Sequence, residues 1–382
     1  MPHQRARPRL VSYPNLPTHA RGTQPVTSNP RISPAFPVNH MTRSFSEVAA
    51  TVRDTGLLKR SYVFYGSFFA ALLVALAAVI TGMVLIGESW FQLLMAVALG
   101  LVLTQFAFLG HEASHRTVFR SGTANDVLGK FMSTFVVGMS YQWWMNKHSR
   151  HHANPNTVGK DPDINPDVIM FRAEDAVHAK GLIKQIVKRQ GWLFFPLLTL
   201  EGLNLHKTAV VSLITRGTPR QRWVELTGVV MHFVVYLVPL FLFLPVGMAF
   251  AFIGVQMAVF GVYMGASFAP NHKGMAIIAE DQKVDFLSKQ VLTSRNIRGG
   301  WPMTIFMGGL NFQIEHHLFP NMARPHLFRT REIVREACAA ADLPYTEENL
   351  FRSYGIIVQY LNTVGLGARD PFDCPERVAM GR

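Results

Sequence analysis

The chain has 382 residues, of which 49% are hydrophobic and only 16% charged, and it carries a formal net charge of +13. The length suits one large domain or two small ones, and the positive mean hydropathy is unusual for a water-soluble protein. The charge does not point to nucleic acid: no Lys or Arg falls within residues 61–110 or 224–271, the most apolar stretches, and basic residues kept to the flanks of apolar runs mark a membrane protein.

Residues 1–43 are rich in Pro, Arg, Ser and Thr, and the first acidic residue is Glu47. No apolar run there follows a secretory pattern, so a disordered basic tail is expected. An Arg-rich organellar transit peptide and a natural start at Met41 rather than Met1 are the alternatives. Residues 44–382 are expected to form one membrane domain. Ser44-Phe-Ser-Glu47 has the pattern of a capping box. It would open a helix with Val48, Val52 and Leu57 on its apolar side, lying along the membrane interface.

Residues 62–86 form an uncharged apolar run. At 1.5 Å per residue it reaches about 37 Å, enough to span ~30 Å of hydrocarbon with some tilt. Gly87, Glu88 and Ser89 make a short turn, Trp90 anchors the interface, and residues 90–110 return across the bilayer to His111. Residues 125–141 carry Asp126 and Lys130 and suit an interfacial helix better than a span, with Trp143 and Trp144 at the membrane surface. Residues 192–200 are apolar but short and are expected only to dip into the interface. Spans at 224–244 and 246–269 follow, joined at Pro245 and ending at Asn271-His272. A basic segment runs to Arg298, Gly299-Gly300-Trp301 breaks the chain, and the part after Pro320 is basic and soluble in character.

Three histidine clusters punctuate this order: His111-Glu-Ala-Ser-His115, His148-Ser-Arg-His151-His152 and Gln313-Ile-Glu-His316-His317, with His272 as a single fourth candidate. Residues three and four apart share a helix face, and imidazoles at i and i+4 are a helical grip on a metal. Eight histidines could give about four nitrogens to each of two metal ions. Lone histidines, namely His3, His19, His40, His178, His206, His232 and His326, are read as surface or core residues. The only cysteines, Cys338 and Cys374, are far from every cluster, which excludes thiolate zinc and iron–sulfur sites and fits a reducing compartment. Imidazole suits iron, zinc, copper and nickel alike; two metals in a lipid setting favour iron and oxygen chemistry. A carboxylate di-iron bundle would need two Glu-x-x-His motifs and two further glutamates, whereas Glu112-x-x-His115 is the only one near a cluster. Asp161-Pro-Asp163 reads equally as turn chemistry and as carboxylates holding the outer nitrogens of ligand imidazoles. Glu112, Glu315 and Asn271 are further candidates for that supporting role.

Four spans put both termini, every Lys and Arg and all the histidine clusters on one face, and the positive-inside bias makes that face cytoplasmic. The expected fold is thus an all-α integral membrane protein. Two transmembrane hairpins would carry a cytoplasmic helical cap around a di-metal site, in a bacterial plasma membrane.

By the order and spacing of its clusters, about residues 60–330 resemble the integral-membrane fatty acid desaturases. Gln313-x-x-His316-His317-Leu-Phe-Pro320 is the most specific part, and Gln at its head resembles the branch with front-end acyl-lipid and linoleoyl-CoA desaturases. The resemblance implies two iron ions on His111, His115, His148, His151, His152, His316 and His317, with His272 matching the extra histidine after the fourth span. Gln313 would bind weakly, through water or not at all. Glu112 stands where Asp is more usual. The implied activity is O2-dependent formation of a cis double bond in a long acyl chain of an acyl-CoA or membrane lipid. No His-Pro-Gly-Gly haem motif or Gly-rich nucleotide motif is present, so electrons are expected from a separate ferredoxin or cytochrome with its reductase. Lys147 and Arg150 could attract a lipid or CoA headgroup, although positive-inside charge alone accounts for them. A hydroxylase on the same metal architecture is the nearest rival. A membrane metal-binding or transport protein is the rival of another class, disfavoured because transport sites sit within spans.

Overall fold

The computed structural model describes residues 38–215 and 219–368, of which 38–44, 219 and 220 are described by backbone only. The basic tail up to residue 37 and Cys374 therefore lie outside the described residues. The described chain is mostly helical. In order, its helices are α1 (Val38–Asp54), α2 (Tyr62–Ile86), α3 (Gln92–Ser114), α4 (Gly122–Lys130), α5 (Tyr141–Ala153), α6 (Ala173–Ala176), α7 (Gly181–Val187) and α8 (Gln190–Leu198). They continue as α9 (Glu201–Thr215), α10 (Pro219–Phe243), α11 (Val246–His272), α12 (Phe286–Leu292), α13 (Gly300–Phe306), α14 (Gln313–Leu318), α15 (Arg324–Ala340) and α16 (Leu350–Gly365). The strands β1 (Asn296–Ile297) and β2 (Glu347–Glu348) pair in parallel, Asn296 opposite Glu347.

Four helices are long and apolar enough to cross a membrane: α2, α3, the part of α10 from Gln221 to Phe243, and α11. They fall where the apolar runs predict them. However, α3 continues past residue 110 to Ser114 and α11 past 269 to His272, so two histidine positions lie on the spanning helices themselves. Over their most apolar windows α3 and α11 are 56% and 44% buried, against 11% for α2 and 17% for α10. The inner pair is thus α3 and α11, while α2 and α10 present apolar side chains outward, as lipid-facing helices do. The inner pair approaches closely at Gly100, where an added Cβ would lie 3.0 Å from the Gln256 carbonyl oxygen. The main core follows this contact, with Leu103, Phe106, Phe108, Phe252, Phe260 and Met264 among its members.

Three local expectations fail. Ser44 does not cap a helix, because α1 already runs from Val38; a Ser-x-x-Glu pattern is equally at home within a longer amphipathic helix. Nor does α1 lie with its apolar side on the membrane interface. Val48 and Val52, with Leu57 just beyond, are buried in a second core with Leu318, Phe319, Leu327 and Val334. Residues 125–141 are not one interfacial helix: α4 stops at Lys130, a π-helical turn spans Phe131–Val136, and α5 starts anew with the Ser140 hydroxyl accepting the Trp143 N–H at 3.1 Å. The wider turn buries Met132 and Thr134 and aims the Val137 carbonyl at His206 Nε2, 2.9 Å away.

Candidate metal centre

Four segments bring the histidines together. His111 stands in the last turn of α3 and His115 is the residue that ends it. His148, His151 and His152 occupy the C-terminal half of α5, and His272 is the last residue of α11. His316 and His317 come from α14, a single short helix. The chain reaches α14 through Gly308 and Gly309, whose φ values of 60° and 87° lie in the left-handed region. A Cβ at Gly308 would also lie 2.4 Å from Cγ of Phe108 on the inner helix.

The histidines sort into two groups. His111, His115, His148, His152 and His316 can offer nitrogens within 4.8 Å of one another, and so can His151, His272 and His317. Inside these groups ring nitrogens face ring nitrogens: His111 and His148 Nε2 are 3.0 Å apart, His115 and His148 2.6 Å, and His151 and His272 3.3 Å. Among the described residues, His316 Nε2, His317 Nε2 and both ring nitrogens of His152 are buried without a hydrogen-bond partner. Buried polar atoms are normally satisfied, so orphan imidazole nitrogens in both groups fit bound metal.

The outer nitrogens of the smaller group are held. His151 Nδ1 lies 3.1 Å from both Asp161 oxygens. Asp161 is itself buried and accepts the Asn156 and Asp163 N–H groups at 2.7 and 2.9 Å. His272 Nδ1 donates to the Thr293 carbonyl at 2.9 Å, and His317 Nδ1 to Gln290 Oε1 at 2.8 Å. Each of these bonds fixes the ring and turns Nε2 inward, the usual support of a metal-bound imidazole. Gln313 lies beside the same group, its Nε2 2.8 Å from His272 Nε2, while its Oε1 accepts from Asn271 Nδ2 at 3.0 Å.

Burial keeps most of these imidazoles neutral, as ligands must be. It lowers the pKa of His115 to about 3. Burial and the neighbouring imidazoles hold His148, His152, His316 and His317 well below the ordinary value. His151 goes the other way: burial opposes its charge, but the Asp161 and Asp163 carboxylates outweigh burial and raise its pKa. For Asp163, burial is outweighed by Lys147 and His151, so its carboxyl sits well below the usual range. Lys147 Nζ is 2.8 Å from Asp163 Oδ1, which places this lysine inside the site's charge network rather than free at the rim.

Not every expected supporting residue meets an imidazole. Asp163 is 3.4 Å from His151 Nδ1 and bonds chiefly with Lys147. Glu315 turns away to Asn296 Nδ2 and the Tyr345 hydroxyl, both at 2.7 Å, and burial pushes its pKa up to about 7. Glu112 turns away to Tyr65 and Arg324. Asn271 supports Gln313 and the Leu310 carbonyl. Two features escaped the sequence reading. Gln290 and Thr293 come from α12 and its cap, with no spacing relation to any ligand. Trp144 is not a surface anchor: its ring stacks on His148 with centroids 4.7 Å apart and planes at 16°. Its spacing of four residues from His148 was the available signal. Trp144 lines a mostly apolar cleft with Ala107, Phe108, Val137, Met264, Phe268 and His111.

A donor set of imidazoles without thiolates, beside an apolar cleft on four membrane-length helices, suits oxidative chemistry on an apolar substrate. Comparison with known proteins agrees. The sequence profile described as fatty acid desaturase matches residues 88–349. The chain is 26% identical over 351 residues to the Delta(8)-fatty-acid desaturase of Helianthus annuus, covering 88% of this chain and 76% of that protein. It is 28% identical over 341 residues to a Delta(5) fatty acid desaturase of Caenorhabditis elegans, covering 86% and 75%. It is 25% identical over 350 residues to the acyl-lipid (9-3)-desaturase of Borago officinalis, covering 88% and 78%. The chain belongs to the fatty acid desaturase family and is an integral-membrane oxidoreductase that desaturates fatty acyl chains.

Proposed function

We propose that the chain introduces a cis double bond into a long acyl group of an acyl-CoA or membrane lipid, using two irons, O2 and electrons from a separate carrier. The observation that carries this reading is the gathering of eight imidazoles into two groups, with His111 of the larger group lining an apolar cleft. His111, His115, His148, His152 and His316 would hold one iron, and His151, His272 and His317 the other. Gln313 stands next to the second, as a weak or water-mediated ligand.

When bound, the irons would supply the O2-dependent oxidising chemistry that an unactivated C–H bond requires, since no side-chain acid or base can break it. The chain's own residues do the rest. Asp161, Thr293 and Gln290 orient His151, His272 and His317. Trp144, Phe268, Met264 and Phe108 would give the reacting part of the acyl chain a dry wall beside His111.

For topology, α2–α3 and α10–α11 are read as two hairpins, with α1, α5 and the segments after His272 as a cap on the cytoplasmic side. The basic flanks and the uncharged Leu244-Pro245 connection support that orientation. The named relatives come from plants and a nematode, so they lend no support to a bacterial membrane.

The test is expression in a host that lacks the activity, with fatty acids profiled by mass spectrometry beside the His316→Ala and His151→Ala variants. The parent is expected to make a new cis-unsaturated acyl chain and both variants none. The same product from both variants contradicts the ligand assignment, and a hydroxylated product from the parent favours the hydroxylase.

A further inference from the structure

Glu112 lies between two of the proposed ligands in sequence, yet its carboxylate bonds neither. It reaches Arg324, the first residue of α15. Arg324 Nε donates to Glu112 Oε1 at 3.0 Å, and Nη2 makes a second, short contact with Oε2. The Tyr65 hydroxyl of α2 donates to the same Oε1 at 3.0 Å and accepts the Arg324 backbone N–H at 3.3 Å. The guanidinium is covered by Phe68, whose ring centre is 4.6 Å away. Arg324 and Glu112 are 1% and 6% exposed. A two-pronged Arg–carboxylate pair fixes orientation as well as distance.

The position of this pair matters. One end grips the last turn of α3, between His111 and His115. The other follows His317 by seven residues of chain, 317 to 324. His111, His115 and His316 all belong to the five-histidine group, and of the histidines on these two segments only His317 belongs to the smaller one. The smaller group has its own supports in Asp161, Thr293 and Gln290. Among the described residues, His316 of the larger group has no such bond to its outer nitrogen.

We propose that Glu112 and Arg324 form a clamp that sets the first and third histidine segments in register, acting as positioning residues chiefly for the metal of the five-histidine group, to which His111, His115 and His316 belong. The proposal deepens the two-iron reading and rests on it. Nothing passes through the protonation of either residue: the clamp acts through the backbone of α3 and the start of α15.

The test counts metal in purified full-length protein and records the visible spectrum of the cobalt(II)-substituted form. Two variants are compared with the parent. Arg324→Lys keeps the charge but cannot make the two-pronged contact. The double change Glu112→Leu with Arg324→Met removes both charges together, so no buried charge is left unpaired. In both, one of the two metals is expected to bind 10–100-fold more weakly, the range seen when ligand supports are lost. The other metal, whose imidazoles keep their own bonds to Asp161, Thr293 and Gln290, is expected to lose less affinity and to keep its share of the cobalt spectrum. Two metals bound with parental affinity and spectrum in the double variant, eluting as folded monodisperse protein, overturn the clamp; should that variant not fold, the same result in Arg324→Lys does so. A parent that holds no metal overturns the two-iron reading, and the clamp with it, which is a different outcome from a variant that holds two.

Discussion

At the scale of single residues, the clustering of the histidines was legible and the bonds that hold their outer nitrogens mostly were not. Histidines at i, i+3 and i+4 announce a shared helix face, and all eight fall into the two groups. The acidic neighbours misled. A residue next to a ligand on a helix points about 100° away from it, so Glu315, adjacent to His316, bonds Asn296 and Tyr345 instead. Asp161, ten residues past His151, does reach it, because the chain folds back through Asn156, whose N–H binds the same carboxylate. Changing Asp161 to Asn keeps the shape but removes the charge that steadies the ring, and should weaken one metal site 10–100-fold, as measured by competition with a chelator. Cys338 tests burial. Its thiol is fully enclosed and its pKa is pushed up to about 12 by desolvation, so at pH 8 it stays protonated. Peptide mapping should find Cys338 unmodified by iodoacetamide in the native protein and modified after denaturation.

At the scale of elements, composition located the four long helices because an uninterrupted apolar run has few other homes. Composition could not show which of them face one another. That is decided by small residues at particular heights, such as Gly261 of α11. An added Cβ there would meet the Gly202 nitrogen and the Leu198 carbonyl oxygen, both at 2.4 Å, so it would force α8 and α9 off α11. Gly261→Leu should cost about 1–3 kcal/mol of stability by overpacking, read as a lower unfolding midpoint in detergent. The π-helical turn before α5 was not legible either, since its residues carry no pattern that distinguishes it from an α-helical end. It matters because it brings Val137 into the wall of the cleft. Met264 also lines that cleft, and Met264→Trp should block it. Desaturation is then expected to fall at least tenfold, a loss of about 1.4 kcal/mol in transition-state binding, with metal content unchanged.

At the scale of the whole molecule, the claim is that the helices serve to bring distant histidines to one side of a bilayer. Charge distribution made this readable, because every Lys and Arg avoids the two apolar stretches. Labelling with a membrane-impermeant thiol reagent should find Ser89→Cys on one side and Lys283→Cys on the other. Labelling of both from the same side would break the topology. The most direct measurement of the central claim is the iron content of purified, desaturating protein, taken by elemental mass spectrometry against protein mass. Two irons per chain are predicted, and loss of activity should follow their removal by a chelator. Full desaturase activity in protein that holds no iron would contradict the account.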